Sequence, residues 1–111
     1  MAASARLRVA LNKLTRSFTR QGYGTLRNQL IRAAESIASN IAEGCGAASK
    51  REFARFLDIA IKSANETEDH LLCARDYELV PAPEWEKYNA EVVEVRKMTF
   101  AYRKKVLSDE D

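Results

Sequence analysis

Apolar residues recur three and four positions apart in four separate segments of the chain, and no stretch sustains a period of two. The first segment carries a narrow stripe of Leu7, Leu11, Leu14 and Phe18. The second places Leu26, Leu30, Ala33, Ala34, Ile37 and Ile41 on one face, the third Phe53, Phe56, Leu57, Ala60, Ala64, Leu71 and Ala74. The fourth aligns Trp85, Tyr88, Val92, Val95, Thr99, Tyr102 and Val106. These periods predict helices over about 4–20, 25–43, 50–77 and 84–107, followed by a frayed tail at 108–111.

The breaks between the stripes carry their own signals. Gln21 to Gly24, "QGYG", interrupts the first helix, and Gly44 and Gly46 are placed to supply a left-handed cap and turn after the second. Ser49-Lys50-Arg51-Glu52 has the form of a capping box opening the third helix. Pro81 and Pro83 separate the third helix from the fourth. Short connections between long helices favour antiparallel neighbours, so residues 1–111 read as one all-α domain, an antiparallel up-down-up-down four-helix bundle.

Two helices carry more apolar surface than one bundle needs. Ile31, Ala38 and Ala42 widen the face of the second helix to about half its circumference at about 100° per residue. In the fourth helix Val93, Phe100 and Leu107 form a second seam, seven residues apart and about 100° from the main stripe. A seam of this kind predicts contact with another subunit, hence a homo-oligomer; the plainer alternative is that these residues flank a broad core.

Composition adds little beyond this: 46% of residues are hydrophobic and 31% charged, with four Gly and two Pro, which suits few, long elements. Cys45 and Cys73 stand too far apart for a CxxC motif and read as free thiols of a reducing compartment, consistent with a cytoplasmic protein. No apolar run approaches the roughly 18 residues of a membrane span. Charge changes the picture more. The net charge of +2 hides a first half, residues 1 to 55, with ten Lys or Arg against Glu35, Glu43 and Glu52 only, and a second half with eight against thirteen acids. Such a split points to an anionic partner for the basic half, or to neutralisation between helices or subunits. The first 20 residues are Arg-rich and acid-free, as a transit peptide would be. A bundle helix is the better reading, because without it three helices would expose their apolar faces.

Few residues point to catalysis. A di-iron bundle needs two Glu-x-x-His pairs, and the chain has one histidine; Glu66 and His70, four apart, are explained by an ion pair, so no metal or cofactor is expected. Only His70 is available to activate Cys45, and the glycines of "EGCG" follow a helix rather than a strand, unlike a phosphate-binding loop. An enzyme is not expected. The basic residues are better candidates: Arg6, Lys13, Arg16 and Arg20 fall within about 80° on a helical wheel opposite the leucine stripe, with Arg27 just past the turn. This forms a rail that could follow a phosphate backbone of RNA or DNA, the alternative being a solvated basic face.

The stretch from Leu26 to Asp76 contains "SNIAEG" at 39–44, "SKREF" at 49–53 and the Ser63, Glu66, Glu68 pattern of "SANETE". It resembles the small four-helix-bundle family named for proteins encoded in intervening sequences of bacterial 23S rRNA genes. The resemblance implies a bacterial cytoplasmic protein forming a homo-oligomer, a pentameric barrel of bundles, and a relation to accessory proteins of diversity-generating retroelements, which present a basic surface to nucleic acid and to a reverse transcriptase. Ala38 stands where the family usually has proline, and Ala47-Ala48 where a pair is often basic. A puzzle remains at Glu43, an acid in the last turn of a helix, where negative charge is disfavoured. The expectation is that Lys50, Arg51 or an Arg of a neighbouring subunit meets it, making Ser39, Asn40, Glu43 and Gly44 an assembly and turn motif. The function expected is therefore a non-catalytic oligomeric scaffold binding nucleic acid or a ribonucleoprotein, with a protein-interaction module as the alternative.

Overall fold

A computed structural model describes residues 1–108. Within them the chain forms four helices: α1 (Ala2–Leu14), α2 (Gly24–Cys45), α3 (Lys50–Asp76) and α4 (Ala82–Ser108). Each helix packs on its neighbour in sequence, and α1 also closes against α4. The result is an elongated body of 52 × 22 × 19 Å. The expected stripes form the core: Leu7, Leu11, Leu30, Ile37, Ile41, Leu57, Leu71, Val92 and Val95 are almost fully buried in one cluster.

The first helix differs from expectation at its end. It stops at Leu14 rather than near residue 20, because the buried Thr15 hydroxyl bonds back to the Leu11 carbonyl at 2.8 Å and the chain tightens into turns. Phe18 N–H donates to the Thr15 carbonyl and Gln21 N–H to that of Phe18, both over three residues. These turns swing Phe18 into a second small core with Ala74 and Val80, at the end of the bundle where α3 finishes. Burial of a phenylalanine, worth about 2 kcal/mol, outweighs continuation of a helix through Thr15, Ser17 and Thr19, which are weak helix formers.

The left-handed positions also differ from expectation. Gly46, at the end of α2, has φ −94° and Gly44 lies inside the helix, so neither supplies the expected cap. The positive φ values fall instead at Gly22 (90°) and Glu78 (58°). Both close Schellman turns: Tyr23 N–H donates to Phe18 O, and Leu79 N–H to Ala74 O, with Gly22 and Glu78 donating to Thr19 O and Arg75 O. At the start of α3 the Ser49 Oγ accepts from Glu52 N–H at 3.1 Å, the serine half of the expected capping box. α4 begins two residues earlier than expected, with Pro83 inside its first turn, where a missing N–H costs nothing. Ser108 belongs to α4, and the rest of the expected frayed tail lies outside the described residues.

Candidate nucleic-acid interface and assembly motif

Arg6 and Lys13 are exposed on α1, and Arg16 and Arg20 are exposed on the turns that follow it. Because the helix ends at Leu14, the four cations do not share one helical rail. They are nonetheless accessible, and among the described residues none takes part in an ion pair. Arg6 sits beside acids of α4, lining a recess with Glu91 and Glu94.

Arg27 has a structural role. Its Nε donates to the Thr15 carbonyl at 3.1 Å, and its Nη2 reaches the Asn12 carbonyl at 3.4 Å and the Asn12 Oδ1 at 3.3 Å. The side chain thus gives the Asn12 and Thr15 carbonyls a further donor at the C-terminal end of α1, where a cation is favoured by the helix dipole.

The motif at 39–44 is occupied with joining α2 to α3. Asn40 Nδ2 donates to the Ser36 carbonyl at 2.8 Å and lies 3.0 Å from Ser36 Oγ, which in turn is 2.7 Å from Ser63 Oγ on α3. Thr67 then donates to the Ser63 carbonyl at 2.8 Å. Gly44 is buried where α2 crosses the start of α3, so close that a Cβ there would meet the Phe53 ring at 2.7 Å and the Phe56 Cβ at 3.3 Å. Ser39 is exposed, and among the described residues its hydroxyl bonds to the Ser36 carbonyl of its own helix. Glu43 is exposed too, and among the described residues neither Lys50 nor Arg51 forms an ion pair with it. "SNIAEG", "SKREF" and "SANETE" therefore meet: Asn40 reaches Ser63 through Ser36, and Gly44 receives Phe53.

The third stretch also ties α3 to α4. Arg96 donates to Asn65 Oδ1 at 3.1 Å and pairs with Glu68. One end of the same boundary holds an ion pair between Arg103 and Asp58, whose geometry is not that of a hydrogen bond. Ser36, Arg96, Arg103 and Asp58 escaped the sequence reading, because their partners lie 27 to 45 residues away in the chain. Glu66 and His70 face a shallow groove between α2 and α3 with Arg32 and no ion pair joins them among the described residues.

Of the fourth-helix seam, Phe100 is 54% exposed, and Val93 and Leu107 are half-buried at the edge of the bundle. Ala38 is half-buried and Ala42 exposed, so the widened face of α2 is only partly covered. Cys45 and Cys73 are free thiols. Cys45 is exposed, with its Sγ 3.8 Å from the Tyr102 hydroxyl; that hydrogen bond, helped by burial, pushes the Tyr102 phenol above the ordinary tyrosine value. Among the described residues no group of three or more His, Cys, Asp or Glu is placed to hold a metal ion, and no helix is long and apolar enough to cross a membrane.

Comparison with known proteins agrees with the fold. No curated protein sequence matches the chain. Among solved structures, a protein of unknown function from the S23 ribosomal protein family of Bacteroides thetaiotaomicron superposes with a TM-score of 0.86 at 29% identity, covering 93% of both chains. Residues 1–101 match the family described as 23S rRNA-intervening sequence protein, so nearly the whole bundle, with its interlocked motifs, belongs to that family.

Proposed function

We propose that the protein is a non-catalytic scaffold of antiparallel, up-down-up-down bundles that self-associate in the cytoplasm, as a pentamer, and offer cations to RNA, DNA or a ribonucleoprotein. The observation that carries the reading is the set of four exposed cations, Arg6, Lys13, Arg16 and Arg20, in a segment without an acid before Glu35. Cations left unpaired by their own chain retain their full charge for phosphates, and each phosphate neutralised releases counterions. Arg27 drops out of the set because its guanidinium is engaged at the end of α1. Self-association through Val93, Phe100 and Leu107 draws support from the exposure of Phe100, a ring that gains about 2 kcal/mol when fully covered. Glu43, exposed and without an intrachain ion pair among the described residues, then meets a cation of a neighbouring subunit.

A second reading, a protein-interaction module that recruits a partner such as a reverse transcriptase without touching nucleic acid, is favoured by the same exposed apolar seam. One experiment separates them: size-exclusion chromatography with light scattering, following absorbance at 260 and 280 nm at low and high salt. The nucleic-acid reading expects an oligomer that carries nucleic acid and releases it as salt rises. A clean oligomer that takes up neither RNA nor DNA at low salt would overturn it in favour of the second.

A further inference from the structure

A recess of about 520 Å³ opens between the first turns of α3 and the last turns of α4. Three arginines line it, Arg51 and Arg55 from α3 and Arg103 from α4. Arg103 belongs to the half of the chain whose net charge is negative, so only the packing of α4 on α3 brings the three together.

Arg51 and Arg55 are exposed and lie one helical turn apart on one face, with about 6 Å between their Cβ atoms. Among the described residues neither forms an ion pair. The Arg55 guanidinium lies over the Phe56 ring, 4.9 Å from its centroid, a stacking contact that orients the plane and leaves the N–H edge free. Arg103 is anchored by Asp58, whose Oδ1 approaches its Nε. Among the described residues the two Nη groups of Arg103 and the Oδ2 of Asp58 take no hydrogen bond. Ala54 and Leu107 give the recess an apolar part.

Each of these features selects a different chemical group. Several guanidinium groups together favour a phosphate, whose oxygens accept from all of them. The open Asp58 oxygen requires a hydroxyl or amino donor, and the apolar part an uncharged ring. An acidic peptide would set its carboxylates against Asp58, and a bare inorganic anion would leave the apolar side uncovered. A nucleoside 5′-phosphate supplies all three groups, and the volume falls in the range of about 300–1,000 Å³ found for small-molecule sites.

We propose that the recess binds a nucleoside 5′-phosphate, free or at the 5′ end of a nucleic-acid strand, with the phosphate on Arg51, Arg55 and Arg103, a sugar hydroxyl on Asp58 and the base against Leu107. The positive end of α3 strengthens the field of the three guanidinium groups. Leu107 and Arg103 also line the hollow on the Phe100 side of α4, so they form the ridge between the two, and a subunit docked on Phe100 approaches from the far side of it. Arg6, Lys13, Arg16 and Arg20 do not line the recess, which is therefore separate from the proposed nucleic-acid face.

The test titrates the full chain by calorimetry at low salt with adenosine 5′-monophosphate, adenosine, ribose 5-phosphate and inorganic phosphate, with Arg51→Gln/Arg55→Gln alongside wild type. Expected is saturable binding of the monophosphate, one per chain and about tenfold tighter than any of the other three, because they lack either the charge-assisted bonds or the apolar cover. The double variant changes two exposed side chains, so it should keep its Tm and oligomer mass while losing about tenfold in affinity. Absence of saturable binding, equal affinity for any of the other three compounds, or wild-type affinity in the double variant would overturn the proposal. A short ribo-oligonucleotide with and without a 5′-phosphate, followed by fluorescence anisotropy, then separates the two sources. Tighter binding of the phosphorylated form, lost in the double variant, assigns the strand end, whereas equal or absent binding of both forms assigns the free nucleotide. Arg16→Glu/Arg20→Glu should weaken both oligonucleotides and leave the monophosphate affinity unchanged, so this site and the nucleic-acid reading can fail separately.

Discussion

A Cβ placed on Gly44 would lie 2.7 Å from Cδ1 of Phe53, so the crossing of α2 over the start of α3 is set by the absence of a side chain at one position. The Phe53 ring is also held by Tyr102, which it meets edge to face with 5.3 Å between centroids, and this contact restricts its retreat. Overpacking of this kind costs about 1–3 kcal/mol, against less than about 1 kcal/mol gained in helix propensity near a helix end. Gly44→Ala should therefore lower stability by about 1–2 kcal/mol. In a Phe53→Ala background the same change should be neutral or stabilising, and a urea double-mutant cycle showing simple additivity would refute the contact as the cause.

The Ser36 to Ser63 bond is the polar counterpart of that contact. Removing one hydroxyl, as in Ser63→Ala, leaves Ser36 with only Asn40 as a side-chain partner and should cost about 1 kcal/mol. The double variant Ser36→Ala/Ser63→Ala should cost clearly less than the sum of the singles, because no hydroxyl is left unpaired. Chemical denaturation of the four proteins checks this, and equal single and summed costs would show the bond to be energetically silent.

Glu78 closes the turn after α3 with φ 58°, in a region where a side chain crowds the following carbonyl. Glu78→Gly should stabilise the protein by about 1 kcal/mol, raising Tm by about 4 °C for a domain of this size. A lower Tm would mean that the glutamate side chain contributes more than its backbone conformation costs.

Arg27 offers a way to separate architecture from ligand binding. Arg27→Met removes the donors to Asn12 and Thr15 and should destabilise by about 1 kcal/mol. The salt dependence of nucleic-acid affinity should not change, whereas Arg16→Glu/Arg20→Glu should make that dependence shallower and leave Tm within about 2 °C of wild type. A shallower salt slope for Arg27→Met, compared with wild type by titration at several salt concentrations, would return Arg27 to the proposed set of phosphate-contacting cations.

Tyr102 gives a pH signature. Its folded-state pKa is raised by the hydrogen bond to Cys45, so the associated stability is complete below the unfolded tyrosine value of about 10 and is lost as pH rises through the folded value. Cys45→Ala should bring the Tyr102 titration back toward the ordinary value and reduce the loss of Tm in alkaline solution. An unchanged tyrosinate absorbance curve would remove the thiol as the cause.

Where helix and core were concerned, the chain was readable from its own periodicity. The leucine and isoleucine stripes recur every three or four residues, and burial of such a stripe is a property of the helix that carries it, independent of which neighbour covers it. The capping serine at 49 and the prolines Pro81 and Pro83 at the start of α4 are equally local. The misreadings came where a distant residue decided the outcome. The helical period of Leu7, Leu11, Leu14 and Phe18 continues through residue 18, yet Phe18 leaves the helix because Ala74 and Val80 provide a site for its ring. The weak helix propensity of Thr15, Ser17 and Thr19 was the available signal.

The glycines and the basic residues show the same division. That Gly44 follows a long apolar stripe is written in the sequence, and so is a turn soon after it; that it serves close packing rather than a left-handed cap depends on Phe53 arriving from α3. Arg27 and Arg20 are equivalent in composition and charge, and only the position of the α1 carbonyls makes one a cap and leaves the other in solvent. The sequence by itself determined four helices, their inward faces and a basic first half, because these follow from spacing and residue type along one chain. Which polar groups lock helices together, and which stay exposed to solvent, was decided only by the tertiary structure, because hydrogen bonds and close contacts act over a few ångströms between residues that the chain holds far apart.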